Sequence, residues 1–155
     1  MTRIETLAII HQLPNILLGL KKKKFGKGKW NGFGGGLNNG ETLSDCVIRE
    51  TKEEANIIII NPILMGRILF KFLAEKEQDH LVYFFKAEEY CGTPKETEEM
   101  RAQWFNENQI PYNQMWPDDK YWLPFLLKND KFVGEFNFGA KGIDSYRLNK
   151  VLEVK

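Results

Sequence analysis

The stretch GGLNNGETLSDCVIRETKEEANI, residues 35–57, decides the fold of this chain and carries most of its functional information. Residues 43–55 contain neither glycine nor proline, and this predicts a helix over that range. Thr42, with Asp45 three residues later, predicts a variant of the capping box, in which a hydroxyl and a carboxylate satisfy amide donors at the helix start. A glycine-rich segment precedes this helix, and the apolar run 57–60 that follows it predicts a buried strand.

Three glutamates share one face of the predicted helix. Glu50, Glu53 and Glu54 stand at positions i, i+3 and i+4, so their carboxylates project close to one another. Such crowding is unfavourable unless a cation compensates it, and a site with oxygen ligands suits Mg²⁺ or Mn²⁺. A solvated acidic helix face is the alternative interpretation. The triple glycine at 34–36 favours the metal site, because it lets backbone groups approach an ion or a phosphate closely.

Charge is unevenly distributed along the chain, although the formal net charge is only +1. Residues 21–30 contain six lysines and no acid, whereas residues 41–54 contain five acids and two basic residues. The near-neutral total argues against a strongly basic protein that coats nucleic acid. The lysine-rich loop suits either the electrostatic steering of phosphates or a purely solubilising role.

Length and composition indicate a single domain over residues 1–155. A chain of 155 residues with 43% hydrophobic content buries enough surface to fold without metal or disulfide staples. Two cysteines make no disulfide framework, and the sequence contains neither a secretory signal nor an apolar run that could span a bilayer. We therefore expect a soluble, cytoplasmic monomer with no membrane partner and no stable nucleic-acid partner.

Strands interleaved with two helices predict one α/β (α+β) domain around a mixed sheet. We expect a hairpin over 4–11 and 16–18, strands over 63–73 and 81–87 joined by a polar turn, an extended segment near 100–105, and a final strand pair within 132–154. A second helix is predicted over 118–128, where Pro124 could end or kink it. Residues 21–40 contain seven glycines, and no sustained secondary structure is predicted there.

The spacing of charged residues and glycines in 35–57 resembles the signature of the Nudix hydrolases, which cleave nucleoside diphosphates linked to a further group. The matching residues are Gly35, Glu41, Arg49, Glu50, Glu53, Glu54 and Ile57. The resemblance implies an α/β/α sandwich with a central mixed sheet and a Mg²⁺-dependent hydrolysis, with Mn²⁺ as a possible substitute. Two positions depart from the signature: Asn56 replaces the usual glycine, and Thr51 replaces an aliphatic residue. Asparagine tolerates the left-handed conformation, so the first departure is mild.

Further motifs resemble one branch of that family, the mammalian MutT-homologue group, which hydrolyses oxidised purine nucleoside triphosphates. They are FGKGKWNGFGGGL at 25–37, GTPKETEEMRAQWF at 92–105 and MWPDDKYWLP at 115–124. In that group the Trp-Pro-Asp-Asp sequence, here residues 116–119, belongs to the base pocket. Gly36 stands where the group has a lysine, and the chain from Gly139 onward does not align clearly with it.

The resemblance implies roles for the acidic residues. The implied Mg²⁺ ligands are the Gly34 carbonyl, Glu50, Glu53, Glu54 and Glu99. Glu54 is the first choice as the general base that takes the proton from a metal-bound water, with Glu50 and Glu99 as alternatives. Arg49 precedes Glu53 by four residues and could hold its carboxylate in place. Without the resemblance, Glu99 would be interpreted as an ordinary exposed acid.

The candidate substrate-binding residues are Thr6, Lys21, Phe25, Asn31, Phe70, Phe72, Trp116, Asp118 and Asp119. Lys21 is expected near the phosphates, and the four aromatic side chains could stack on a purine. Phe70 and Phe72 would share one face of a strand, so core packing could also explain them.

Asp118 and Asp119 have two possible explanations. Adjacent acids after Trp-Pro suit a helix N-terminus, where the helix dipole stabilises negative charge. In an aromatic pocket, by contrast, one acid of the pair could be protonated, and the two would then offer a donor and an acceptor to a purine edge. With the Asn31 amide, such a pocket could accept an oxidised guanine or adenine.

The sequence thus predicts a Mg²⁺-dependent Nudix diphosphatase that converts oxidised purine (deoxy)nucleoside triphosphates such as 8-oxo-dGTP to the monophosphate and pyrophosphate, and so sanitises the nucleotide pool. One alternative is a Nudix hydrolase of another nucleotide, such as a dinucleoside polyphosphate or a methylated purine nucleotide. The other is a non-catalytic module that binds nucleotide or RNA. The intact glutamate triad disfavours that module, because a pure binder has no need of crowded metal ligands.

Overall fold

The computed structural model describes residues 1–74 and 76–155. Its two helices are α1, Leu43–Ala55, and α2, Asp119–Leu127, and a single 3-10 turn spans Tyr112–Gln114. The strands are β1 Thr2–Gln12, β2 Asn15–Lys21, β3 Trp30–Asn31, β4 Phe33–Gly36, β5 Ile58–Ile60, β6 Ile63–Phe72, β7 Asp79–Ala87, β8 Glu89–Cys91, β9 Met100–Asn106, β10 Lys131–Gly139 and β11 Gly142–Val151.

Strand β1 is central to a mixed sheet that has nine strands in the described part of the chain. It pairs in parallel with β7 along one edge, and antiparallel with β2 and β4 along the other. A second parallel pair, β10 with β6, extends the sheet to its β11 edge. Strands β5 and β8 form a separate two-stranded sheet. The mixed sheet predicted from the sequence is therefore confirmed.

The two helices cover opposite faces of the sheet. Successive residues of a strand point to opposite faces, so Ile9 packs in one apolar cluster with Trp122 of α2. The neighbouring Ala8 packs in the other cluster, with Val47 of α1. The α/β/α arrangement follows from these two clusters.

Helix α1 spans the predicted residues 43–55, and of the predicted capping box the described residues show the Thr42 contact but no hydrogen bond to the Asp45 carboxylate. The Thr42 hydroxyl accepts a hydrogen bond from the Asp45 backbone N–H at 3.1 Å. Asn56 follows the helix in the left-handed conformation, with φ 62°, where asparagine is among the tolerated residues. Thr51 is fully buried, and its hydroxyl donates to the Val47 carbonyl at 2.7 Å, so the buried polar group has a partner. Both departures from the family signature are thus accommodated locally.

The glycine-rich segment 21–40 is more ordered than the sequence predicts, because it contains β3 and β4. Gly34 and Gly35 lie opposite Leu7 and Thr6 in the β1–β4 ladder. A Cβ on Gly34 would lie only 1.8 Å from the Thr6 carbonyl oxygen, so glycine is what lets this strand approach β1. The expectation of no sustained secondary structure here was wrong for that reason.

Three smaller expectations have different outcomes. Strand β5 is not wholly buried, since Ile58 is 48% exposed in the short sheet with β8, a strand that the sequence did not predict. Helix α2 agrees with the predicted range 118–128, and Pro124 does not end it, because the helix continues to Leu127. The predicted polar turn at 74–80 includes Glu75, which lies outside the described residues, while Asp79 already belongs to β7. Neither described helix is long and apolar enough to cross a membrane.

Candidate active site

A cavity of about 260 Å³ brings together residues of β1, β3, β6, the lysine-rich loop and the start of α2. Its lining contains all of the predicted substrate-binding residues, and also Gly34 and Glu54 of the predicted metal site: Thr6, Lys21, Phe25, Asn31, Gly34, Glu54, Phe70, Phe72, Trp116, Asp118 and Asp119. One hollow therefore joins the aromatic residues to the acidic face of α1.

Glu54 lies at the acidic end and is held by the glycine strand. Glu54 is only 5% exposed, and its Oε1 accepts a hydrogen bond from the Gly34 backbone N–H at 2.8 Å. Burial, together with the negative charges of Glu50 and Glu99, raises the pKa of Glu54 to about 8, although the hydrogen bond from Gly34 and the charge of Lys21 both lower it. The Glu54 carboxyl group is therefore poised to take up or release a proton near neutral pH.

Arg49 organises the acidic cluster. Its guanidinium makes a two-pronged contact with Glu41, at 2.7 Å from Nε to Oε2 and 2.9 Å from Nη2 to Oε1. Its Nη1 donates to Glu50 at 2.9 Å and to Glu53 at 3.3 Å, which is the contact that the four-residue spacing predicts. The hydrogen bond from Arg49 lowers the pKa of Glu41 to about 2. Glu41 is thus a positioning residue, whose only signal in the sequence was its place in the signature.

The residues present fit a divalent cation. Every predicted ligand is an oxygen donor, the set that Mg²⁺ and Mn²⁺ prefer. A Cβ on Gly35 would lie 2.5 Å from the Glu50 carboxyl carbon, so the carboxylate rests directly against the glycine backbone. Burial raises the pKa of Glu50, and the charges of Glu53 and Glu99 add to that effect, whereas Arg49 opposes it. Among residues 1–74 and 76–155, no three acidic, histidine or cysteine side chains are already close enough to enclose a metal ion.

Glu99 lies beside this cluster, on the exposed segment that leads into β9. Its charge raises the pKa of both Glu50 and Glu54, so it is within electrostatic reach of them. The nearby Thr97 hydroxyl donates to the Glu54 carbonyl at 3.0 Å and ties this segment to the end of α1. The structure therefore brings Glu99 to the acidic end from a different part of the chain.

Asp118 and Asp119 form the opposite end of the cavity and are only 4% and 3% exposed. The Trp122 indole N–H donates to Asp118 Oδ2 at 2.8 Å and to Asp119 Oδ1 at 3.1 Å. Asp118 precedes α2, but within the described part of the chain its side chain makes no cap hydrogen bond. A role at the helix start therefore does not account for the Asp118 carboxyl group.

The two aspartates are placed to share a proton. Burial raises the pKa of Asp118 to about 6. Burial and the charge of Asp118 raise the pKa of Asp119 well above its ordinary value. Asp119 Oδ2 is buried and has no hydrogen-bond partner among the described residues. A neutral Asp119 beside an ionised Asp118 would present both a donor and an acceptor to a ligand.

Aromatic rings form the wall between the two ends. Phe25 contacts Trp116 and Phe72, with ring centroids 5.0 Å and 5.6 Å apart. Phe70 is more deeply buried and stacks on Phe136 at 5.8 Å. Phe25, Phe72 and Trp116 are thus placed to contact a flat ligand, whereas Phe70 both lines the cavity and belongs to the core.

The lysines of the lysine-rich loop fall into two groups: some contact other protein groups, and others line the cavity. Lys22 donates to the Thr97 carbonyl at 2.7 Å and pairs with Glu96, and the Lys23 ammonium lies 3.7 Å from Glu98. Lys21, by contrast, lines the cavity, and its charge lowers the pKa of Glu54. The loop is therefore partly structural, and only some of its charges face the cavity.

Other side chains are placed in ways that the sequence did not reveal. The Thr6 hydroxyl lies 3.3 Å from Cys46 Sγ, so this polar group already has a partner inside the protein. Asn31 Oδ1 accepts from the Gly32 backbone N–H at 2.9 Å. The cavity lining also includes residues that lie outside the sequence motifs: Arg3, Glu5, Leu7, Glu77, His80, Val82, Phe84 and Phe138. Only the alternation along β1 could have placed Arg3, Glu5 and Leu7 together.

Comparison with known proteins agrees with this geometry. The NUDIX domain family model matches residues 1–126. The chain is 44% identical over 151 residues to the oxidized purine nucleoside triphosphate hydrolase of Mus musculus, with coverage of 97% of this chain and 96% of that protein. It is 41% identical over 154 residues to the Danio rerio protein of the same name, with coverage of 99% and 98%. The solved MutT protein from Bacillus halodurans is similar with a TM-score of 0.85 at 26% identity, over 95% of this chain and 97% of that one.

Proposed function

The chain belongs to the Nudix hydrolase family, and from this premise we propose that it converts oxidised purine nucleoside triphosphates to the monophosphate and pyrophosphate. Mg²⁺ is the proposed cofactor, with Mn²⁺ as a substitute. The identity to two hydrolases named for oxidised purine nucleoside triphosphates, over nearly their whole lengths, supports this substrate class.

The buried aspartate pair is the observation that carries the proposal. Oxidation of a purine changes which edge atoms donate and which accept hydrogen bonds, so a pocket that recognises it must match the new pattern. Asp118 and Asp119, with one proton between them, offer one donor and one acceptor at the base end. Asn31 lines the same cavity and can add an amide donor.

The acidic end supports hydrolysis of a phosphoanhydride. We propose that the Gly34 carbonyl and Glu50, Glu53, Glu54 and Glu99 hold the divalent ion, directly or through water. When bound, such an ion supplies charge neutralisation for the phosphates and an acidified water. Arg49 holds Glu50 and Glu53 in place, and Lys21 adds positive charge where the phosphates would lie.

Glu54 is the proposed general base. Without a bound cation its carboxyl group has a pKa of about 8, and a general base is most effective when its pKa lies near the working pH. The hydrogen bond from Gly34 fixes one carboxylate oxygen and leaves the other to accept a proton. Glu50 is partly neutralised by Arg49, and Glu99 is exposed, so both are less suited to this role.

Arg49→Lys is expected to raise the Mg²⁺ concentration that gives half-maximal activity by about tenfold, because a lysine cannot reproduce the two-pronged contact with Glu41 while also contacting Glu50. A magnesium titration of initial rates measures this value. Arg147→Lys changes an exposed arginine on β11 and should leave it unaltered. Equal magnesium dependence in the two variants would contradict a positioning role for Arg49.

A pyrophosphate-release screen tests the substrate class. Oxidised purine triphosphates should give kcat/KM values at least about tenfold above those of unmodified and methylated purine triphosphates and of dinucleoside polyphosphates. Equal rates for all of these nucleotides would contradict the sanitising function. A preference for methylated purine nucleotides or dinucleoside polyphosphates would instead identify those as the substrates. Nucleotide binding without any turnover would instead favour a non-catalytic module.

We also propose that residues 1–155 form one domain, which acts as a cytoplasmic monomer on free nucleotides without a membrane or stable nucleic-acid partner. The strands β10 and β11 lie beyond the matched residues 1–126 but continue the same sheet, which supports a single domain. The formal net charge of +1 supports a small-molecule substrate over a nucleic acid.

A further inference from the structure

Arg3 lies across the glycine strand at the mouth of the cavity. Arg3 and Glu5 alternate onto the same face of β1, and Gly36 lies opposite Glu5 in the β1–β4 ladder. A Cβ on Gly36 would come within 3.1 Å of Arg3 Nη2. The glycine at this position therefore leaves the space that the guanidinium occupies.

The Arg3 guanidinium is oriented but only partly used. Its Nε lies 3.2 Å from Glu5 Oε2, and Glu5 also contacts His80 through its other oxygen. His80 in turn contacts Glu77, so the carboxylate that holds Arg3 is itself held. Across residues 1–74 and 76–155, no hydrogen bond uses the two Nη groups of Arg3, and its side chain is 48% exposed. The outer edge of the guanidinium is thus available to an anion.

Arg3 lies where the phosphate end of a bound nucleotide would be expected. Arg3 lines the main cavity and also an adjoining shallow hollow that contains Glu41 and Glu50. A purine held by Asp118 and Asp119 would direct its phosphates towards this acidic end. Lys22 and Lys23 pair with acids outside the cavity, whereas Arg3, Lys21 and Lys24 line it. Arg3 is therefore the cavity cation that also faces Glu50 in the shallow hollow.

We propose that Arg3 is a phosphate-binding residue that holds the distal phosphates of the substrate, the part released as pyrophosphate. Its planar fork suits two phosphate oxygens, and the contact with Glu5 orients that fork before the substrate arrives. This inference rests on the proposed function, because it assigns a subsite of the same cavity.

Isothermal titration calorimetry with Mg²⁺-pyrophosphate, and separately with 8-oxo-dGMP, tests the assignment. Arg3→Gln should weaken pyrophosphate binding about tenfold or more, the effect of losing a charge-assisted hydrogen bond, and should leave 8-oxo-dGMP binding within about twofold. Arg3→Lys keeps the charge and should fall between the wild type and Arg3→Gln. Arg147→Gln removes an equal charge from β11 and should change neither affinity.

A rescue variant tests whether the location of the charge matters. In Arg3→Gln, a further Gly36→Lys substitution places an ammonium in the vacated space and should recover part of the lost pyrophosphate affinity. Unchanged pyrophosphate affinity in Arg3→Gln, an equal loss for both ligands, or no measurable pyrophosphate binding by the wild type would overturn the assignment. Pyrophosphate binding requires no turnover and no particular base, so a failure of the proposed substrate class would leave this test intact.

Discussion

Glu54→Gln is expected to lower kcat for pyrophosphate release by about a thousandfold while the chain stays folded. Glutamine keeps an oxygen that can accept the hydrogen bond from the Gly34 backbone N–H, so the local geometry is preserved. It removes the charge that would bind the cation and the basic oxygen that would accept the proton. Steady-state kinetics at saturating Mg²⁺ measure the loss, and Glu98→Gln, which changes an exposed acid, serves as the control.

The same variant should be more stable than the wild type without metal at alkaline pH. The folded-state pKa of Glu54, about 8, lies above its ordinary value of 4.5. Protonation therefore favours the folded state fully below pH 4.5, and that stability is lost as the pH rises through 8. At about pH 9 we expect Glu54→Gln to gain about 1–3 kcal/mol of unfolding free energy in urea melts. Full activity, or a loss of stability at that pH, would contradict the placement of Glu54.

The acidic end could be predicted from sequence because its geometry is local. Glu50, Glu53 and Glu54 lie on adjacent turns of α1, and the 3.6-residue period alone places them on one face of the helix. The contact from Arg49 to Glu53 follows from the same period. Helical periodicity does not predict the position of Glu99, which lies on a segment outside the helix. Only the family resemblance suggested that position.

The remaining features depend on contacts between distant segments, which periodicity does not encode. The β4 strand exists because Gly34 lets two backbones meet, and the pairing of Lys22 with Glu96 depends on how the lysine-rich loop folds against the approach to β9. The sequence left open whether Phe70 contacts substrate or packs in the core, and the structure shows that the ring both lines the cavity and belongs to the core. Arg3 carried no motif, and its place became visible only when β1 and β4 were paired.

Substitution of either aspartate should greatly lower activity on oxidised purines, because Asp118→Asn and Asp119→Asn each change the pattern of hydrogen-bond donors and acceptors at the base end. We expect kcat/KM for oxidised purine triphosphates to fall by about 10- to 100-fold in each variant. The fall for unmodified purine triphosphates should be much smaller, because they do not match the pattern that the pair presents. Kinetics with matched oxidised and unmodified nucleotides measure the two changes, and Asp130→Asn, beyond the other end of α2, is the control.

Stability should move in the opposite direction to activity. The folded-state pKa of Asp118, about 6, lies above its ordinary value of 3.8, and that of Asp119 is raised well above the same value. Their protonation stabilises the folded chain fully below pH 3.8, and this contribution is lost as the pH rises through 6 for Asp118 and at higher pH for Asp119. At about pH 8, either asparagine variant should therefore resist urea at least as well as the wild type.

A loss of activity combined with unchanged or higher stability separates recognition from folding. A pair with a purely structural role would lose both together, because its carboxylates would be stabilised by core partners that the two asparagine side chains replace only in part. A pair that recognises a ligand instead keeps a raised pKa and a desolvated charge, and among the described residues one Asp119 oxygen has no partner. These features cost stability, and a bound ligand would offset that cost. Equal losses for oxidised and unmodified nucleotides, or a destabilised chain at about pH 8, would assign Asp118 and Asp119 to the core and remove the basis for selective recognition of oxidised purines.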